Sequence, residues 1–218
     1  MKLRLAAAAL VLAAAALWGC GGGGDTTPSR IDCSSTEFVP NYVSDLDHLY
    51  AWSSFPITVA FVADSNLTST RRATAIAGFN EWVSASGSIF HYNVINDVSS
   101  ADLTVRFDPT TPDSVTQMTT SGATLIHADM ALGLQDPENT AIQQPLADLQ
   151  CSAAHEFGHT LGIGGHSQDP GDLMYFAHII GQPCPLTTRD LNTAKSAYCG
   201  LFPTPPTARS PIVYTSYR

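Results

Sequence analysis

Residues 151–175 read CSAAHEFGHTLGIGGHSQDPGDLMY, and the interpretation of the whole chain starts from this stretch. If it begins as a helix, His155 and His159 stand at positions i and i+4, one turn apart on the same face. Two imidazole nitrogens at that spacing can bind one zinc ion. Glu156 is offset from His155 by about 100° around the helix axis, so its carboxylate lies beside the metal and can hold a water molecule there.

The residues after this helix supply a third candidate ligand. Gly162 can take a positive φ at low cost, so the helix can end there and the chain can turn back. His166 would then reach the same metal, and Met174 follows eight positions later. Three protein ligands and one open position are typical of a catalytic zinc, whereas structural zinc sites have four protein ligands. The alternative to a metal site is an amphipathic core helix whose histidines form hydrogen bonds with other groups of the protein.

A long histidine motif followed by a methionine resembles the signature of the metzincin zinc endopeptidases. Within that clan, residues 166–175 are similar to the third-ligand and Met-turn segment of the matrixins. The usual metzincin spacing is H-E-x-x-H-x-x-G-x-x-H, and here Gly165 stands where the third histidine would fall. His166 comes one residue late, and Gly164 and Gly165 are expected to absorb the extra residue as a bulge.

The resemblance implies an enzyme that hydrolyses internal peptide bonds of a peptide or protein substrate. One catalytic zinc would be held by His155, His159 and His166. Glu156 would activate the zinc-bound water, and Met174 would form a hydrophobic floor beneath the imidazoles. Two alternatives stay open: a zinc-binding adhesion or structural module with little turnover, and a zinc hydrolase of a small amide.

Calcium is a further candidate cofactor, because Ca²⁺ prefers carboxylate oxygens. No spacing singles out the acidic residues that lie in suitable loops, which are Asp108, Asp113, Asp129, Asp136 and Glu138.

Hydrophobic periodicity predicts an α+β domain over residues 49–203. Strands are predicted within residues 52–61, 90–95, 103–107 and 123–130, and helices at residues 68–86, from about residue 147, and after Thr187. Residues 108–121 are rich in Pro, Thr and Asp and are predicted to form a loop. This order resembles the metzincin catalytic domain, a twisted mixed sheet of about four to five strands with three helices and a zinc cleft between upper and lower subdomains.

The resemblance also assigns a substrate-binding strand. By analogy with the family, an extended peptide would add antiparallel to an edge strand of the sheet. The residues assigned to that edge are Ala123, Thr124, Leu125, Ile126 and His127.

The N-terminal residues predict export. Residues 1–19 have the charged start and apolar run of a signal peptide, and residues 5–17 would reach only about 20 Å as a helix, short of the ~30 Å membrane core. Residues 17–20 resemble a bacterial lipobox with Cys20 as the lipidated residue, so we expect a membrane-anchored lipoprotein that faces the periplasm or the cell exterior. An ordinary secretory signal with an incidental cysteine is the alternative. Residues 20–48 would form a Gly-rich tether and N-terminal segment, and residues 204–218 a Pro-rich tail.

Charge limits the choice of partners. Removing residues 1–19 takes away Lys2 and Arg4 and no acidic residue, which changes the formal net charge from −9 to about −11. This acidic balance argues against nucleic acid as a partner and against electrostatic attraction to anionic lipid. We expect a monomer whose membrane contact is the lipid on Cys20.

The four other cysteines predict disulfides. An even number in an exported chain favours two bridges, with three possible connectivities. Cys151 shares a helical row with the two histidines of the zinc helix, and the last helix is expected to run back toward the start of that helix. The preferred pairs are therefore Cys151–Cys199 and Cys33–Cys184. A rival interpretation makes Cys33 a thiolate that blocks the zinc, as in matrixin pro-segments, although its surroundings lack their Pro-Arg-Cys-Gly pattern.

Overall fold

The computed structural model describes residues 49–178 and 180–198, together with the backbone of residues 212–213. The predictions for the signal peptide, the tether and most of the tail therefore lie outside the described residues, as do Cys20, Cys33 and Cys199. In chain order the elements are β1 (Ile57–Phe61), α1 (Ser69–Ala85), β2 (Tyr92–Ile95), a short 3-10 helix (Val98–Ser100), β3 (Leu103–Asp108), β4 (Val115–Ser121), β5 (Thr124–Gly133), α2 (Leu146–Thr160), α3 (Thr188–Tyr198) and β6 (Ile212–Val213).

The strands form one mixed sheet in the order β2-β1-β3-β5-β4-β6. Strands β1, β2, β3 and β5 run parallel, β4 is antiparallel to β5, and the two residues of β6 pair with β4. This arrangement confirms the predicted α+β domain. No helix in the described part of the chain is long and apolar enough to cross a membrane.

Helix α2 packs its apolar row into the core, as the sequence predicts. The residues of that row are all buried: Leu149, Ala153, Phe157 and Leu161. The ring of Phe157 stacks on Phe79 of α1 at 4.5 Å between centroids. The indole N–H groups of Trp82 and Trp52 donate to the carbonyl oxygens of Ala154 and Thr160, at 2.8 Å and 2.6 Å. Packing and hydrogen bonds therefore fix α2 along its length.

The prediction of a loop over residues 108–121 is wrong in its second half, which forms β4. The inward positions of β4 are Thr116, Met118 and Thr120, which are all buried. Threonine is β-branched and favours a strand, but it contributes little to a hydrophobic pattern. With one apolar residue at three inward positions, the alternation that marks a buried face is too weak to read.

The assignment of Ala123, Thr124, Leu125 and Ile126 to a sheet edge is also wrong. Strand β5 lies between β3 and β4. On the side away from β4, the N–H of Leu125 donates to the carbonyl of Ala51 at 2.8 Å, and the N–H of Ala51 donates to the carbonyl of Ala123 at 2.9 Å. The strand at Thr124 and Leu125 is therefore bordered on both sides, by β4 and by Ala51. The error follows from the missed strand, because β4 takes the position that β5 was expected to have.

Candidate metal centre

Helix α2 holds the two histidines of the H-E-x-x-H segment in fixed orientations. The Nδ1 of His155 lies 2.8 Å from the carbonyl oxygen of Leu173, and the Nδ1 of His159 lies 2.6 Å from that of Ile163. A carbonyl oxygen can only accept a hydrogen bond, so each Nδ1 carries the proton. Each Nε2 therefore keeps the lone pair that a metal requires.

The turn after α2 brings His166 to the other two rings. Gly162 has a φ of 98°, and a Cβ there would overlap the carbonyl oxygen of Tyr50. Among the glycines of this turn only Gly162 has a positive φ, so the extra residue before His166 is accommodated without a left-handed conformation at Gly164 or Gly165. The ring centroid of His166 lies 5.3 Å from that of His155 and 4.9 Å from that of His159.

The three histidines fit a zinc ion. Their ligand nitrogens lie within 4.8 Å of one another, and all three Nε2 atoms are buried without a hydrogen-bond partner in the described protein. Burial, with the neighbouring imidazoles, lowers the pKa of His166 to about 4 and that of His159 well below its ordinary value, so both are neutral at pH 7. Burying unpaired acceptors costs free energy, and neutral imidazoles are preferred zinc ligands.

The Met-turn, residues 172–175, is anchored by α3. Met174 is fully buried, and its sulfur packs so closely on α2 that a Cβ on Gly158 would overlap it. The carboxylate of Asp190 accepts hydrogen bonds from the N–H groups of Leu173 at 2.9 Å and Met174 at 3.1 Å. Because Leu173 also accepts from His155, the metal site and α3 share one hydrogen-bonded network.

Asp190 carries no catalytic motif, but its spacing from Thr187 is informative. The N–H of Thr187 donates to Asp190 at 2.9 Å, and the N–H of Asp190 donates to the hydroxyl of Thr187 at 3.2 Å. This reciprocal pairing is the capping-box arrangement at a helix start. The sequence predicts Thr187 as the cap, and the residue three positions later is the one that also holds the Met-turn.

Glu156 lies at the same cavity as the ligand candidate His155, and its carboxylate is oriented by β4. The hydroxyl of Thr116 donates to a carboxylate oxygen of Glu156 at 2.7 Å. Both side chains are buried, with exposed fractions of 0% and 1%, so water does not compete strongly for this bond. Thr116 lies in the strand that the sequence did not reveal, and no motif points to it.

A cleft of about 360 Å³ opens beside His155 and Glu156. One wall is formed by α2, where Cys151 and Ser152 line it. The opposite wall is formed by the chain around and after the Met-turn, residues 170–173, 175–178 and 182–185. The volume is within the range of small-ligand sites, roughly 300–1,000 Å³, so the cleft can admit a substrate side chain next to the metal.

In the part of the chain that the structure describes, a disulfide joins Cys151 to Cys184, whose Cα atoms are 5.8 Å apart. The predicted pairs Cys151–Cys199 and Cys33–Cys184 are therefore wrong. The physical reason is the direction of α3. Its last residue, Tyr198, packs against Phe55 and Phe90 with ring centroids 5.2 Å and 5.1 Å away, so the described part of α3 does not end at the start of α2.

The start of α2 is covered by the segment that contains Cys184. The imidazole of His178 donates to the carboxylate of Asp148 at 2.8 Å, and the backbone N–H of Gly181 donates to the same oxygen at 2.9 Å. Asp148 lies in the first turn of α2 and is 1% exposed. His178 carries no motif in the sequence, and the structure places it on the wall of the cleft.

Comparison with known families agrees with this geometry. The profile of one family, described as matrixin, matches residues 51–199, from the residues before β1 to the end of α3. None of the curated proteins matches the chain. The matched region contains the three histidines, Glu156 and the Met-turn.

Proposed function

The chain belongs to the matrixin family of zinc-dependent metallopeptidases, and from this we propose that it is an endopeptidase that cleaves internal peptide bonds of proteins. One observation carries the proposal: three buried Nε2 atoms without hydrogen-bond partners in the described protein converge on one another, and one of these histidines, His155, lines an open cleft together with Glu156. An adhesion or structural module would need the ligands, but neither the oriented carboxylate nor the adjoining cleft.

His155, His159 and His166 would hold one zinc ion through their Nε2 atoms. When bound, the ion would supply a Lewis acid that polarises the scissile carbonyl and makes a water molecule more acidic. Three protein ligands leave coordination positions for substrate and water. The carbonyl oxygens of Leu173 and Ile163 keep two of the imidazoles in the required tautomer and orientation.

Glu156 would move the proton during hydrolysis. Its carboxylate takes a proton from the attacking water and then gives it to the departing amine nitrogen. The hydrogen bond from Thr116 fixes the rotation of that carboxylate within the buried site. Because a positioned acid–base group must lie within hydrogen-bond reach of the reacting atoms, we expect this orientation to matter for turnover.

Strand β4 is the best candidate for the strand that binds an extended peptide. It carries Thr116, and so adjoins Glu156, and among the five long strands it is at one edge of the sheet. A peptide that adds antiparallel to β4 would bring one side chain to the cleft. Residues 212–213 already pair with Gln117 and Met118, so a long substrate would have to displace them.

The test compares the wild type with Glu156→Gln, which keeps the size of the side chain. Both proteins should bind one zinc per chain by atomic spectroscopy. The wild type should cleave casein or a fluorogenic peptide, a chelator should stop it, and added zinc should restore it. Glu156→Gln should be slower by about 10²–10⁴-fold, the usual contribution of general acid–base catalysis. Cleavage at the wild-type rate by this variant would contradict the mechanism.

We also propose that the protein is exported and anchored through Cys20, as the sequence of residues 1–20 suggests. The Cys151–Cys184 disulfide supports export, because disulfides persist in oxidising compartments. Metabolic labelling with a fatty acid tests the anchor. The label should appear in the wild type and be lost in Cys20→Ser, which should move from the membrane fraction to the soluble fraction.

A further inference from the structure

Two cysteines and a histidine form a second group of side chains that can bind a metal. Cys151 of α2, His178 and Cys184 each offer one ligand atom, and these atoms lie within 4.8 Å of one another. Cys151 and Cys184 are joined as a disulfide in this structure, and only a thiolate sulfur binds a metal well. We propose that reduction of this disulfide turns the group into a second zinc site, distinct from that of the three histidines.

The three ligand types are those of a common class of zinc site. Two cysteine thiolates and one histidine nitrogen can hold zinc and leave a fourth position for another ligand. With about 2.3 Å from zinc to sulfur and 2.0–2.1 Å from zinc to nitrogen, the ligand atoms of a tetrahedral site lie roughly 3.5–3.8 Å apart. The three atoms of the group are therefore close enough to meet at one ion through rotations of their side chains.

The hydrogen bond between His178 and Asp148 prepares the imidazole for a metal. The Nε2 of His178 lies 2.8 Å from a carboxylate oxygen of Asp148, and an ionised carboxylate can only accept, so Nε2 carries the proton. The lone pair is then on Nδ1. A histidine that binds a metal usually donates its other N–H to a carboxylate or a carbonyl, which fixes the tautomer and makes the ligand more basic. His155 and His159 have the same arrangement with backbone carbonyl oxygens.

Asp148 also has a reason of its own to favour a metal on His178. Its side chain is 1% exposed, and one of its oxygens has no hydrogen-bond partner in the described chain. Its other oxygen accepts from His178 and from the N–H of Gly181. A buried carboxylate is costly unless donors compensate. Zinc on Nδ1 would polarise the imidazole and make its N–H a stronger donor, so metal binding and the burial of this carboxylate support each other.

The cleft gives zinc and a reductant access to the group. Cys151, His178 and Cys184 line the same cleft as His155. Cys151 precedes His155 by four residues on α2, which is about 6 Å along the helix axis. Residues 176–186 contain no helix or strand in their described part, so small shifts of this segment toward the metal break no regular structure.

The disulfide and the zinc site exclude each other. A dithiol reductant gives two electrons and two protons to the bond between Cys151 and Cys184 and is itself oxidised to a disulfide, which leaves two thiols. Zinc then binds both sulfur atoms, and the two thiol protons go to solvent. Because a disulfide forms again only through attack by a free thiolate, bound zinc should slow the return of the disulfide.

Titration with cobalt(II), followed by absorption, tests the second site without relying on turnover. Thiolate ligands give cobalt a charge-transfer band in the near ultraviolet, and imidazole ligands do not. The full chain is compared in the oxidised state and after reduction with dithiothreitol, which is removed by gel filtration under argon. The oxidised protein should bind one cobalt ion, at the three histidines, without this band. The reduced protein should bind a second ion and show the band. No band in the reduced wild type would overturn the proposal.

Paired cysteine variants assign the band to this group. Cys151→Ser/Cys184→Ser should lose the band and keep the first cobalt ion, which also reports that the three-histidine site is intact. Cys33→Ser/Cys199→Ser should keep both ions and the band. A band that survives in Cys151→Ser/Cys184→Ser would overturn the proposal, because the thiolates would then come from the other cysteines.

Histidine and aspartate variants test the remaining contacts in the reduced protein. Asp148→Asn keeps the shape of the side chain and removes its charge, and it should weaken binding of the second ion by about 10–100-fold. His178→Ala removes a ligand and should weaken it at least as much. His91→Ala is the matched control, because His91 is exposed and does not line the cleft, and it should bind the second ion as the wild type does. Equal affinities in His178→Ala and His91→Ala would overturn the proposed ligand set.

Discussion

Replacing Gly162 with alanine tests the turn that brings His166 to the other two histidines. Gly162 has a φ of 98°, and a Cβ there would overlap the carbonyl oxygen of Tyr50. The N–H of Tyr50 donates to the carbonyl of Gly162 at 2.9 Å, and Tyr50 is 1% exposed. The new methyl group therefore cannot be accommodated by a side-chain rotation, and the two backbones must separate.

The expected loss of stability is the sum of four terms, one of which is favourable. A non-glycine residue at positive φ costs about 1–2 kcal/mol, and the restricted unfolded chain returns about 0.4–1 kcal/mol. Separating the two backbones adds about 1–3 kcal/mol for overpacking and about 1 kcal/mol for the lost hydrogen bond. Gly162→Ala should therefore destabilise the protein by roughly 2–6 kcal/mol. Gly87→Ala has only the first two terms, because an added Cβ meets nothing within 4 Å, and should cost about 1 kcal/mol.

Urea unfolding of the zinc-free proteins measures both changes. In a domain of this size, 1 kcal/mol lowers Tm by about 2–4 °C, so thermal unfolding should also separate the two variants. The carbonyl of Ile163, next to Gly162, accepts from His159 at 2.6 Å. Zinc affinity should therefore fall by about 10–100-fold in Gly162→Ala and stay unchanged in Gly87→Ala. Equal unfolding midpoints for the two variants would refute the close approach at Tyr50.

Three further predictions concern the groups around the metal site. Thr116→Val should lower kcat by about 10-fold, with KM and zinc content unchanged, because Glu156 loses the hydroxyl donor of Thr116. Thr116→Ser keeps a hydroxyl at this position and should have the kcat of the wild type. A low kcat in Thr116→Ser would contradict the positioning role. Asp190→Ala should weaken zinc binding by about 10-fold in a competition assay. An unchanged affinity would show that the Met-turn does not influence zinc binding. In the zinc-free protein, burial lowers the pKa of His159 and His166, so below about pH 6.5 the unfolded state binds more protons than the folded state. Urea unfolding should therefore show a free energy of unfolding that decreases from about pH 6.5 toward pH 4. A free energy of unfolding that does not change over this range would contradict the lowered pKa values.

The parts of the site that the sequence predicts are those set by local geometry. His155, Glu156 and His159 occupy one helix, so the spacing of 3.6 residues per turn fixes their relative positions. The stop at Gly162 follows from a conformation that other residues rarely adopt. His166 is predicted by its resemblance to a family motif rather than by spacing, because the extra residue before it leaves its position undetermined.

The parts that the sequence does not predict depend on contacts between distant residues. Thr116 and Glu156 are 40 positions apart in the sequence, and Asp190 is 17 positions from Leu173, the residue of the Met-turn that it contacts. The disulfide illustrates the same limit: Cys184 pairs with Cys151 because Asp148 holds the intervening segment over α2, and neither the cysteine count nor the helical row contains that information. In each case the deciding fact is where a loop or strand lies in three dimensions.

The bridge between Asp190 and the Met-turn has a thermodynamic consequence. His155 donates to Leu173, Leu173 donates to Asp190, and Asp190 caps α3 through Thr187. If zinc binding favours the state in which these bonds are formed, the formation of the bonds favours zinc binding by the same coupling free energy, since coupling is reciprocal. Zinc should therefore protect the amides of α3 from hydrogen exchange without touching them. Conversely, fraying of α3 lowers zinc affinity, so the last helix of the domain takes part in loading the enzyme with its metal.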